Sequence, residues 1–190
     1  MKDMRTSLFM WLGFLNDLRR RGIKIVHRSV FEAFYRGKEE SLAVILNRLE
    51  KKGLITRVTR NWYIIAPCEV WEIVKAIFPS AYLSLEWALH YHDILDQEIR
   101  VITLVWLGKT KIVRSNKYIF ELHRISPKLY FGFDERMIAE PEKALLDTIY
   151  IRGRVPPELN IELLDLDKLN NYARLFPKRV KEYVKELMQK

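Results

Sequence analysis

Glu140, Glu142, Lys143 and Asp147 stand within one short stretch of the chain. Carboxylates beside a lysine are what a metal-assisted nuclease centre uses, so this cluster is the first candidate for catalysis. Its spacing argues against that use. On a helix beginning at Pro141, Glu142 and Lys143 point in different directions, whereas Lys143 and Asp147 fall at i and i+4 and predict a surface pair that stabilises the helix. Glu140 and Glu142 suit the positive N-terminal end of the same helix. His90 and His92 are two residues apart, on different sides of a helix, and do not predict a shared metal; packing or hydrogen bonding is the expected use. His123 alternates with Phe120, Leu122 and Arg124 in a strand-like run and reads as a buried, hydrogen-bonded histidine, with a partner contact as the alternative. The 7 glycines are scattered singly along the chain, so no phosphate-cradling loop is expected. Catalytic residues, cofactor and metal are all expected to be absent.

The second chemistry is recognition, and it lies in Glu39 to Ile65. Leu42, Ile45, Leu46 and Leu49 fall at i, i+3, i+4 and i+7 and predict a helix from Glu39 to Lys52 with one apolar stripe. Ser41, Asn47 and Arg48 lie toward the other side, with side chains able to reach base edges: Arg can pair with guanine and Asn with adenine. Lys51 and Lys52 suit the negative end of the helix dipole, and Gly53 sits where a left-handed cap is needed. Beyond it Ile55, Thr56, Val58, Thr59 and Trp62 to Ile65 are strand formers interrupted at Arg60 and Asn61. Asn tolerates a left-handed turn, so the hairpin tip is placed there, carrying Arg57 and Arg60 for phosphate contacts. The candidate DNA-binding residues are therefore Ser41, Asn47, Arg48, Lys51, Lys52, Arg57, Arg60 and Asn61.

Charge separates this region from the rest. Up to residue 66 the chain holds 14 Lys and Arg against 6 Asp and Glu; beyond it the balance is 19 against 18, and the whole carries a net charge of +9. A basic excess confined to the segment with the helix and hairpin fits a polyanion-binding module. With 49% hydrophobic and 12% aromatic residues the 190-residue chain has ample material for packed cores. Cys68 is the only cysteine, which excludes an internal disulfide and a cysteine-rich zinc site. The apolar run after Lys2 and Arg5 lacks a small-residue cleavage site, and no apolar stretch approaches the roughly 20 residues that span a bilayer. A cytoplasmic protein with no membrane partner is expected.

The elements that must position these residues follow in order. Leu8, Trp11, Leu12, Leu15 and Leu18 predict a first helix ending at Arg19 to Gly22; Ile23 to Val26 read as a short strand; Ser29 is placed to cap a second helix with Val30, Phe31, Phe34 and Tyr35 that runs to Gly37. A helix of about eight residues, a turn and the Glu39 helix match helix-turn-helix spacing, in which the last helix enters the major groove. After Pro67 an amphipathic helix with Val70, Trp71, Ile73, Val74 and Ile77 leads to Pro79, and Ser84 is placed to cap a helix over Leu85 to Leu95. Strand-like runs cover Ile99 to Leu107, Ile112 to Val113 and Tyr118 to Ile125, and Tyr130, Phe131 and Phe133 read as a further strand or an aromatic corner. Pro141 opens a helix buried through Ala144, Leu145, Thr148 and Ile149 and closed by Gly153; two helical segments follow, the last with Val180, Tyr183, Val184 and Leu187. The predicted fold class is α+β: a winged helix-turn-helix over residues 1–67, then a mixed α/β domain with additional C-terminal helices over 68–190.

Three strings carry a resemblance: YLSLEWALHYHDIL from Tyr82 to Leu95, FELHRISPKLYFGF from Phe120 to Phe133, and IAEPEKALLDTIYIR from Ile138 to Arg152. In this order behind a basic helix and hairpin, they resemble the AbiEi-type antitoxins, transcriptional regulators of viral defence systems; PEKALLD, Pro141 to Asp147, is the most characteristic. The resemblance spans roughly residues 5 to 155. It implies the antitoxin of a type IV toxin-antitoxin pair, opposing a nucleotidyltransferase-like toxin through its second domain and repressing its own operon by binding double-stranded DNA. Asn61 stands where a wing-tip glycine is expected, and the final helices have no counterpart. Two other readings remain open from the residues alone: a stand-alone regulator whose second domain binds a ligand or dimerises, and a nucleic-acid-processing enzyme using Glu140, Glu142 and Asp147.

Overall fold

The computed structural model describes residues 3–35 and 39–189, with the side chains of residues 3–7 and 39–41 left aside. Among them the chain is a mixed α+β protein with eight α-helices and two sheets. It divides into two compact units, the first ending at Ile73 and including Ser115–Lys117, the second comprising Val74–Arg114 and the chain from Tyr118 onward.

The first unit runs α1 (Asp3–Arg20), β1 (Ile25–His27), α2 (Arg28–Phe34), α3 (Glu39–Lys51), β2 (Thr56–Arg57) and β3 (Trp62–Ile64). The three strands form an antiparallel sheet in the order β1-β3-β2. Trp11, Leu15 and Leu18 of α1 and Leu42, Leu46 and Leu49 of α3 are buried together with Phe31, Ile55 and Tyr63, while Ile45 is only partly covered. Phe14 stacks on Phe34 at 3.9 Å, and Trp11 meets Phe34 edge-on at 5.1 Å, so aromatic packing closes the α1–α2 side. Both α1 and α3 end on a left-handed glycine: Gly22 donates to the Arg19 carbonyl and Ile23 to Leu18, just as Gly53 donates to Glu50 and Leu54 to Leu49. This pairing satisfies the last carbonyls of each helix and turns the chain sharply into a strand.

Two local expectations are corrected here. Ser29 does not cap α2; His27 does, its ring nitrogen accepting from the Ser29 amide at 3.2 Å, and the helix stops at Phe34. The stretch to Gly37 lies outside the described residues. Asn61 does not take a left-handed turn, because Val58 and Thr59 both donate to the Trp62 carbonyl, at 2.9 and 3.4 Å, and the wider loop over Thr59 to Asn61 needs no positive φ there.

The division between units falls within α4 (Val70–Ile77). In the second unit β4 (Ala81–Leu83), β5 (Ile102–Trp106), β7 (Ile119–Arg124) and β6 (Lys111–Arg114) form one sheet in that order. β7 inserts between its two predecessors, parallel to β5 and antiparallel to β6. All three residues of β4 are buried, a strand the sequence pattern does not disclose. Helices α5 (Leu85–Tyr91) and α6 (Pro141–Arg152) pack on each other, and α7 (Leu166–Ala173) and α8 (Lys178–Leu187) cover α6 further. The aromatic segment near Phe133 forms a corner rather than a strand: Tyr82 stacks on Phe133 at 4.6 Å and meets Tyr130 edge-on at 5.5 Å.

Candidate functional site

The outer side of α3 and the residue after it present three cations, Arg48, Lys51 and Lys52, without an ion-pair partner among the described residues. Val44, Asn47, Arg48, Lys51 and Lys52 are exposed, and among the described residues Asn47, Arg48, Lys51 and Lys52 have no hydrogen-bond or ion-pair partner from a side chain. They project because the buried Leu42, Leu46 and Leu49 fix the opposite side of the helix against the core. The side chain of Ser41 lies outside the described residues. Arg60 and Asn61 are exposed at the hairpin tip, where the Asn61 carbonyl accepts from the Arg28 amide at 2.7 Å. Such a surface offers guanidinium and amide donors for base edges and ammonium groups for phosphates.

Arg57 is placed differently from expectation. It is a strand residue paired with Tyr63, not part of the tip. Its Nε lies 3.6 Å from Glu50 Oε2 and its guanidinium carbon 5.6 Å from the Tyr63 ring centre, and its amide donates to Glu50 Oε1 at 3.2 Å. Glu50 on α3 thus already occupies the charge that was assigned to phosphate. Arg19, in the triple-arginine run, is also structural: it donates to the Ile65 carbonyl at 2.6 Å and the Leu54 carbonyl at 2.9 Å, tying α1 to both sides of the hairpin. A guanidinium with several fixed donors suits such bridging, but no spacing rule points to carbonyls 46 and 35 residues away.

The PEKALLD helix corrects the reading of Lys143 and Asp147 as a surface pair. Every residue from Glu142 to Ile149 is buried, and Lys143 and Asp147 are both 0% exposed. The Lys143 ammonium donates to Asp147 Oδ1 and, at 2.9 Å, to the Tyr82 hydroxyl. Asp147 Oδ2 accepts from Tyr82 at 2.9 Å and from Ser84 Oγ at 2.8 Å. The ammonium also lies 5.1 to 5.4 Å from the ring centres of Tyr82, Phe131 and Phe176. Burial pushes the Lys143 pKa down and the Asp147 pKa up, so each depends on the other and on the hydroxyls to stay charged. Gly132 fits this enclosure, because a Cβ there would sit 3.1 Å from the Lys143 side chain.

Ser84 is consequently the N-cap residue of α5 without making the side-chain cap bond expected of it. The helix start is instead held by Thr103, whose Oγ1 donates to the Ser84 carbonyl at 2.6 Å and accepts from the Trp87 amide at 3.1 Å. Leu85, next in the chain, has φ 54, a strained value for a non-glycine residue that this clamp maintains.

The other acids are likewise engaged. Glu142 is buried and accepts from the Asp165 amide at 2.9 Å, while Glu140 accepts from the Tyr172 hydroxyl at 2.7 Å and pairs with Lys168 at 3.1 Å. Arg152, at the other end of α6, bridges Glu86 at 2.8 Å and Glu121 at 3.0 Å, which joins α5, α6 and β7 and lowers the Glu121 pKa. His90 and His92 reach the carbonyls of Leu95 and Ala139 at 3.3 and 2.8 Å. His123 is buried beside Glu121, with 3.2 Å between Nε2 and Oε1. Among the described residues no three His, Cys, Asp or Glu side chains gather closely enough to share a metal, and no helix is long and apolar enough to cross a membrane.

No family model matches the chain, and no curated protein matches it.

Proposed function

We propose that the protein is a DNA-binding antitoxin of the type IV kind, with the first unit acting as a winged helix-turn-helix. The observation that carries the DNA-binding reading is the exposed row Asn47, Arg48, Lys51 and Lys52 on α3 and just after it, without side-chain partners among the described residues, which an element order of helix, strand, helix, helix and hairpin presents to one side. α3 is the recognition helix. Asn47 and Arg48 read base edges, Lys51 and Lys52 hold phosphates, and the short hairpin is the wing with Arg60 on the backbone. Arg57 acts indirectly, by fixing the wing to Glu50. The antitoxin role rests on the three strings that resemble the AbiEi-type family, with the second unit opposing a nucleotidyltransferase-like toxin. Tight commitment of Glu140, Glu142 and Asp147 to partners within the fold favours this reading over a nuclease.

Binding to the DNA upstream of the protein's own gene, measured across a salt series, tests the interface. Arg60→Ala is expected to reduce the slope of log affinity on log salt by about one and to weaken all sequences alike. Arg48→Ala is expected to cost about 1 to 3 kcal/mol and to relax specificity at one base position. An unchanged slope and affinity in both variants would remove the α3 surface and wing from DNA. Co-expression with the neighbouring gene's product tests the antitoxin role separately, through rescue of growth.

A further inference from the structure

The strand β6 closes one side of the second unit's sheet and pairs only with β7. On its other side alternate backbone N–H and C=O groups face outward, and none of them meets a protein partner among the described residues. Its register with β7 runs unbroken from Lys111↔Leu122 to Arg114↔Ile119, with no bulge, proline or glycine to bend it. Lys111, Ile112 and Arg114 are exposed, Ile112 at 52%. From Ile99 to Phe120 the sequence contains Arg100, Lys109, Lys111, Arg114 and Lys117 and not one Asp or Glu. The near-neutral balance of the second half therefore conceals a basic edge.

Lysines on an outer strand often serve only to discourage pairing. Two features separate β6 from that role. The Lys111 ammonium is drawn over the rings of Trp106, at 4.6 Å, and Phe78, at 5.8 Å, which leaves the edge itself uncovered. Ile112 then offers apolar contact to anything laid alongside. The carboxylate opposite it, Glu121, is bound to Arg152 and does not balance the edge. A second copy of the chain is a poor occupant, since paired β6 strands would oppose like charges. A nucleic acid would use the charge but leave the row of backbone groups and Ile112 without partners.

We propose that β6 is a docking edge that takes an extended, acidic segment of a partner protein as a fifth strand, backbone bonds supplying affinity and the basic side chains selecting for acid. The inference stands whether or not α3 binds DNA.

The test titrates the full-length protein with a short capped peptide alternating Glu and Val, reading amide hydrogen exchange at Lys111–Arg114 and the total tryptophan emission, to which Trp106 contributes. The peptide is expected to bind and to slow exchange on β6. A fully N-methylated version, which keeps the charges and loses every backbone donor, is expected to bind at least about tenfold more weakly, and so is the plain peptide to the Lys111→Glu, Arg114→Glu variant. Equal binding of the methylated peptide would reduce the edge to a charged patch and overturn the proposal. So would binding of a single-stranded oligonucleotide in place of the peptide, or the absence of peptide binding.

Discussion

Helices α3 and α6 have 13 and 12 residues, each mixes acids and bases with leucines and isoleucines, and each falls directly before a left-handed glycine or one residue short of it. They differ in what surrounds them. α3 has one covered side, so Arg48 and Lys51 stand in water, where lacking a partner among the described residues costs little. α6 is wrapped by α5, α7 and α8, so its charges exist only in company: Lys143 with Asp147 and Tyr82, Glu142 with the Asp165 amide. An unpaired cation at the surface remains available to a polyanion, whereas a paired one in the core is spent on specifying the fold. The same residue types therefore stand at an open surface in one unit and form a buried keystone in the other.

The largest expected effect comes from breaking the buried pair. Lys143→Met leaves Asp147 charged or protonated against apolar neighbours, and about 3 to 5 kcal/mol of stability is expected to disappear, read by chemical denaturation. The double variant Lys143→Met, Asp147→Leu is expected to recover much of that loss, because the uncompensated charge goes with its partner. If Lys143→Met alone is neutral, α6 behaves like a surface helix and the contrast fails. A smaller contrast lies within α3 itself. Leu46→Ala, fully buried, is expected to cost about 2 to 5 kcal/mol, while the adjacent Asn47→Ala stays within about 0.5 kcal/mol in the same assay.

These helices also show what was legible in the sequence. For α3 the apolar stripe alone separates inside from outside, so Leu42, Leu46 and Leu49 are found buried where their spacing puts them, and Asn47, Arg48, Lys51 and Lys52 exposed. For α6 the same logic sent Lys143 and Asp147 to the surface, because their partners Tyr82 and Ser84 are 61 to 65 residues away and invisible to helical periodicity. One signal was present: leucine and isoleucine fall all round this helix, which marks a helix covered on every side. Strand β4 escaped notice for a related reason, since three fully buried residues show no alternation. The insertion of β7 between β5 and β6 is set by tertiary packing, which chain order does not encode. Arg57 shows the limit at finer scale: it pairs with Tyr63 in the strand and lies beside Glu50 of α3, a contact that strand propensity does not encode.

The smallest expected effect concerns pH and separates the units again. His123 is buried on β7, and burial holds its pKa below the ordinary 6.5, with Glu121 and Glu86 opposing that shift and Arg152 reinforcing it. Because the folded form resists protonation, the unfolded chain binds the extra proton first as pH falls below 6.5. The stability linked to this group is complete above that value and is lost progressively on acidification toward the depressed folded pKa. Denaturation of the wild-type chain between pH 7 and 5.5 is thus expected to show a decline that His123→Asn flattens. Glu121 adds a second step only in more acid solution, since Arg152 holds its carboxyl below 4.5. A decline that persists unchanged in the His123 variant would assign it to another group.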